Sequence, residues 1–163
     1  MPIDAQRLAK SKRPSRAADV LRYFASVSGS LSYEASMLDQ AAKKCATAPP
    51  GYDRNAAIEC YLVHFRNIRD FLYPTAESWT DERYFDDVIA WDFCSEWLEV
   101  AEDWKECSLA ERTRFNKLLA HISYTRPQLG HDWPIAQMHA AIQNSVSEFV
   151  AKLSPDRKKW FEK

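Results

Sequence analysis

Apolar residues return every three or four positions through most of this chain, and that period predicts helices from end to end. From Ala17 to about Thr47 the steps run Val20, Tyr23, Phe24 and Val27, then Leu31, Leu38 and Ala41 or Ala42. Ser28, Gly29 and Ser30 interrupt them, which predicts a kink or a split into two helices. Ala48-Pro49-Pro50-Gly51 closes the element with a turn. A second helix is expected from Asp53, a residue suited to the N-cap, to Tyr73 ahead of Pro74. Its buried stripe reads Ile58, Leu62, Phe65, Ile68 or Arg69, and Leu72, beside a stripe of Glu59, Val63, Arg66, Asp70 and Tyr73.

Residues 74–83 are polar and irregular and read as a connection. Tyr84 to Cys107 interleaves aromatics with acids and is expected to be helical for most of its length, with a break near Asp92. Ser108 to Glu111 is a capping box, each side chain accepting from the other residue's backbone N–H. The helix it opens carries Phe115, Leu118, Leu119 and Ile122 and ends near Tyr124, before Arg126-Pro127. Pro134 stands where a first helical residue would, and Ile135, Met138, Ile142, Val146, Phe149 and Val150 continue in period to about Leu153. Ser154-Pro155-Asp156 opens a last short helix. The expected fold class is all-α, an up-and-down bundle of four main helices with one or two short additional helices.

Composition sharpens this. A chain of 163 residues fits one domain. Residues 1–16, where Arg7, Lys10, Lys12, Arg13 and Arg16 face only Asp4, read as a basic flexible tail, and 17–163 as a single helical bundle domain. Six Trp, seven Tyr and eight Phe against three Gly describe a core of large rings, with no material for a glycine-rich phosphate loop or a dinucleotide fold. A net charge of −1 provides no global field for nucleic acid or an anionic membrane, so any such binding must be local. No stretch has the apolar run of a signal peptide or of a membrane span, so no membrane partner is expected. Cys45, Cys60, Cys94 and Cys107 lack the short spacings of zinc or redox motifs; reduced thiols and a cytoplasmic location follow.

The sharpest chemical pattern is in the capping-box helix. Arg114 and His121 are seven positions apart, close to two turns, so both project from one side, with Lys117 on the strip between them. A histidine beside fixed cations is suited to moving a proton at a phosphodiester whose developing charge the arginine holds with two N–H groups. Arg66 and Asp70, four apart, can pair along the surface, form a buried pair that fixes how their helix meets the His121 helix, or line the same crevice, with His64 nearby; the structural role is the expected one. Glu96, Glu99 and Asp103 fall on one helical face, a spacing that suits Mg²⁺ for nucleotide pyrophosphate hydrolysis but also describes a solvated acidic face. His121, His131 and His139 lie within nineteen residues without the spacing of a metal site, so no metal or other cofactor is expected. Trp160-Phe161 reads as a docking handle or as a cover for the bundle end.

Arg114, six intervening residues and His121, with Asn116 as a polar neighbour, resemble the motif of the HEPN superfamily, which sits in a late helix of a small helical bundle. In the more typical motif the polar residue directly follows the arginine; here Phe115 does, and Asn116 comes one later. The resemblance implies a metal-independent endoribonuclease or RNA-binding component of a bacterial defence or toxin-antitoxin system. Two such motifs would then face each other in a homodimer, with Arg114, Asn116 and His121 catalytic and RNA cleaved through 2′-hydroxyl attack. Lys117, Tyr124, Arg126, Arg66 and Asp70 would then be binding positions. Other members are catalytically silent and bind a partner protein, so a non-catalytic interaction module is the alternative. A second resemblance, to uncharacterised bacterial proteins of this build, spans roughly residues 56–150 and is carried by Tyr61 through Leu72, Asp86-Asp87 and Asn116 through Tyr124.

Overall fold

The Ser28-Gly29-Ser30 interruption separates two helices in the computed structural model, which describes residues 13–26, 29–74, 81–97, 114, 115, 117, 119 and 132–161. These are α1 (Ala18–Ala25) and α2 (Ser30–Thr47). Gly29 donates its N–H to the Ser26 carbonyl at 2.8 Å. A Cβ there would fall 2.2 Å from the Tyr23 carbonyl oxygen and 2.4 Å from that of Phe24, so the junction is closed to any larger residue. On α1, Leu21 and Ala25 are buried, whereas Val20 and Tyr23, expected to lead the apolar side, are exposed. The eight-residue helix has α2 as its packing partner, which leaves Val20 and Tyr23 uncovered.

The turn after α2 ends on Gly51 at φ 136°, a conformation that glycine reaches without strain. Helix α3 (Tyr52–Leu72) then folds back along α2. Gly51 takes the N-cap expected of Asp53, which stands two residues inside it, in the first turn, where its charge still faces the positive end of the helix. The buried surface of α3 is wider than one stripe. Ala57, Tyr61, Leu62, His64, Phe65, Ile68, Arg69, Phe71 and Leu72 are all covered, because α3 packs against α2, α4 and α5 together.

Over residues 84–97 the expected helix is corrected. Glu82–Tyr84 form one 3-10 turn, and the short helix α4 covers only Ala90–Phe93. The Asp92 carboxylate starts it by accepting the Ile89 N–H at 3.1 Å. A turn follows at Cys94, and Trp97 donates its indole N–H to the Leu72 carbonyl at 2.7 Å. Residues 98–107 and the capping box lie outside the described residues. Helix α5 (Ile135–Lys152) begins just after Pro134, and α6 (Pro155–Lys158) follows. Every regular element among the described residues is helical. None of these helices is long and apolar enough to cross a membrane.

Phe149 of α5 is the hub of the aromatic core. It meets Phe71 at 5.3 Å, Trp97 at 5.5 Å and Phe161 at 5.7 Å, each close to edge-on. Phe161 also packs on Phe93 at 5.7 Å, so this residue covers the core end. Cys45, Cys60 and Cys94 are free thiols, and burial raises the pKa of Cys45.

Arg13 departs from the expected solvated tail. It is buried, as is the Asp92 carboxylate, which it meets through Nε at 3.3 Å and Nη2 at 3.0 Å. It also donates to the Tyr84 carbonyl at 3.1 Å and to that of Asp87. A fork of N–H donors matched to one carboxylate and two carbonyls accounts for the burial of a charge that composition alone assigns to water. From the other end of the chain, Arg157 donates to the carbonyls of Asp92, at 3.3 Å, and Phe93.

Candidate functional site

Phe115 fixes where the Arg114 strip stands. Its ring is fully buried, stacked on Phe65 of α3 at 5.6 Å with planes 9° apart, and tilted against Trp133 at 4.9 Å. The neighbouring Arg114 is half-exposed. Its guanidinium lies 3.9 Å from the centre of the Trp133 ring, and Nη2 donates to the Asp132 carbonyl at 2.6 Å. Lys117, three residues on, is also half-exposed. Asn116, His121, Tyr124 and Arg126 lie outside the described residues.

On α3 the structure brings two arginines to one acid. Arg66 and Asp70 pair at 3.6 Å with both side chains nearly half exposed, so this is the surface arrangement and not a buried pair. The buried cation is Arg69, 2% exposed, which the apolar period offers only as an alternative to Ile68. Its Nε and Nη2 donate to one Asp70 oxygen at 3.2 and 3.0 Å, and its guanidinium lies 5.1 Å from the centre of the Phe115 ring. Nη1 is buried without a hydrogen-bond partner, a state that costs about 1–3 kcal/mol for a neutral donor and more for a charged one. The α3 arginine that touches the Phe115 segment is therefore Arg69, on the inner side of the Arg66–Asp70 pair.

A second constellation joins α2 to α3. His64 Nδ1 lies 2.7 Å from a Glu34 oxygen that also accepts the Asn67 amide at 3.0 Å, and the Tyr33 ring meets the imidazole edge-on at 5.7 Å. The carboxylate fixes the ring's orientation. Sequence reasoning misses it because Glu34 is thirty residues away, and helical period pairs residues only within one helix. On α5, His139 meets Asp39 at 3.4 Å, and Gln143 donates to the same Asp39 oxygen at 2.7 Å. Its expected companions His121 and His131 are outside the described residues, as are Glu99 and Asp103; Glu96 stands exposed in the turn before Trp97. Among the described residues no three His, Cys, Asp or Glu side chains form a metal-holding group.

Asp87 has its pKa raised, first by burial, then by the charges of Asp86 and Asp70, with Arg13 opposing. The folded state thus holds this proton more tightly than the unfolded chain. The stabilisation is complete below the ordinary aspartate pKa and is lost as pH rises through the raised one. Asp87→Asn should therefore gain stability relative to the parent across that window and hold the gain at neutral pH. Urea midpoints of the two proteins from pH 3 to pH 7 provide the check, and parallel curves would refute the linkage.

No family model, curated protein or solved structure matches the chain.

Proposed function

We propose that this protein is a HEPN-like helical module that holds RNA by its phosphate backbone at Arg114 and Lys117 and cleaves it without a metal. His121 is the acid/base, Asn116 the polar partner, and Tyr124, Arg126, Arg66 and Asp70 extend the binding surface. The supporting observation is the guanidinium of Arg114, laid on the Trp133 ring and tied to the Asp132 carbonyl while half-exposed. A cation held in one rotamer loses little entropy on meeting a phosphate, and a planar fork suits two of its oxygens. His121 is seven residues further along, two turns away at α-helical pitch; the backbone at Lys117 and Leu119 between them is π-helical, a wider turn. With imidazole and guanidinium at one phosphodiester, the base draws the proton from a 2′-hydroxyl as that oxygen attacks phosphorus and the P–O5′ bond breaks; the 5′-oxygen leaves with a proton returned by the imidazolium, the 2′,3′-cyclic phosphate stays on the upstream fragment, and the arginine takes up the developing charge. The architecture we infer is the up-and-down bundle of four main helices, with two copies bringing their strips together in a cytoplasmic homodimer of a bacterial defence or toxin-antitoxin system.

The test is cleavage of total RNA in excess chelator. The parent protein should yield fragments ending in 2′,3′-cyclic phosphate, and His121→Ala should fall to background with unchanged helicity by circular dichroism. Undiminished cleavage by that variant removes His121 from the chemistry.

A second reading, a non-catalytic module that binds a partner protein, is favoured by Val20 and Tyr23 of α1, Tyr33 of α2 and Val63 of α3, all large apolar side chains left exposed. Capture of one defined partner, lost in Tyr23→Glu and Tyr33→Glu, together with inert RNA in chelator, would select it.

A further inference from the structure

Two guanidinium groups converge on one carboxylate on α3, and one buried N–H group is left over. Arg69 is held from three directions. Asp70 takes Nε and Nη2, the ring of Phe115 covers the guanidinium plane, and the helix supplies the backbone. Nη1 alone has no acceptor. Arg66, three residues earlier on the same helix, reaches the other oxygen of Asp70 at 3.6 Å, a looser contact than the 3.0 and 3.2 Å of Arg69. Nη1 of Arg69 is thus a buried donor without an acceptor, beside a carboxylate, Asp70, that is itself nearly half exposed.

We infer that Arg69 and Arg66 form a binding site for a phosphate group, in which one phosphate oxygen accepts from Nη1 of Arg69 while Arg66 turns from Asp70 to a second oxygen. A buried donor held by Asp70 beside an aromatic ring is preorganised for a tetrahedral oxyanion, and the half-exposed Arg66 closes over it. Phe115 carries this site to the flank of the Arg114 strip, so the inference deepens the reading of that strip as phosphate-facing and rests on it for the identity of the larger ligand. It does not rest on the chemistry of His121.

Inorganic phosphate is the probe, titrated against sodium chloride of equal ionic strength and followed by the thermal midpoint. Phosphate should raise the midpoint of the parent where chloride does not. Arg69→Gln should weaken the apparent affinity at least tenfold, Arg66→Gln by a smaller factor, and Arg83→Gln, whose arginine is exposed and paired with Asp81, should match the parent. Cleavage of RNA in chelator is followed on the same parent protein: a phosphate response without cleavage upholds this site and removes the ribonuclease reading, and cleavage without a phosphate response does the reverse. A short single-stranded oligoribonucleotide that competes with phosphate identifies a backbone phosphate as the ligand; free phosphate binding without competition assigns the site to small phosphate compounds instead. No midpoint change specific to phosphate in the parent, or an equal change in Arg69→Gln, overturns the proposal. Should Arg69→Gln not fold, the guanidinium N–H resonances of Arg69 in the parent decide: movement with phosphate and not with chloride upholds the site, and stationary resonances overturn it.

Discussion

Arg13→Ala should lower the folding free energy by about 3–5 kcal/mol, the range seen when one partner of a buried ion pair is removed. The loss arises less from the missing attraction than from what stays behind. Asp92 would keep its charge in a closed site with the Ile89 N–H as a remaining donor, and the carbonyls of Tyr84 and Asp87 would each lose an arginine N–H. Arg13→Lys should recover little, since a single ammonium cannot satisfy three acceptors spread around a planar fork. The double variant Arg13→Met with Asp92→Leu should recover much of the loss by removing both charges at once. Urea denaturation at low and high salt separates this from a surface effect, because a buried pair is weakly screened. A loss below about 1 kcal/mol would return Arg13 to the solvated tail that composition suggests.

Phe149→Ala should cost about 3–5 kcal/mol, and Phe149→Leu clearly less. Phe149 is fully buried and presents its ring to Phe71, Phe93, Trp97 and Phe161, so truncation opens a void bounded by large rings, all held by other contacts. Rings of that size do not collapse into a gap without leaving their rotamers. The near-ultraviolet dichroism of the variant should weaken as well, because Trp97 loses an edge-on neighbour 5.5 Å away. Equilibrium unfolding measures the first effect; a loss under about 1.5 kcal/mol would show that Phe149 is not the hub the ring contacts describe.

The parts of the fold legible in the sequence are those where one helix carries one repeating face. The bounds of α3 and α5 follow from their apolar period and from Pro74, Gly51 and Pro134, and the structure moves them by a residue or so. Residues 84–97 mislead because their aromatics and acids satisfy a helical period that another force overrides. Asp92 spends its carboxylate on Arg13 and on the Ile89 N–H, and the helix begins only there. Arg69 was half legible: its step of four from Phe65 places it on the buried side, but residue type argues against burial until Asp70 and Phe115 are seen around it. The His64–Glu34 pair had no local signal at all, since it exists only once α2 and α3 are side by side.

The two arginines that grip α4, Arg13 from before it in the chain and Arg157 from after it, lie 64 to 79 positions from the residues they hold. A nascent chain leaving the ribosome therefore has α2 and α3 in hand long before this four-residue element can be locked. The late closure of such distant contacts carries a large loop entropy, which slows the final step of folding. Until translation passes residue 157, the aromatic centre stays open on that side, and this is the interval in which a chaperone would be of most use to the molecule.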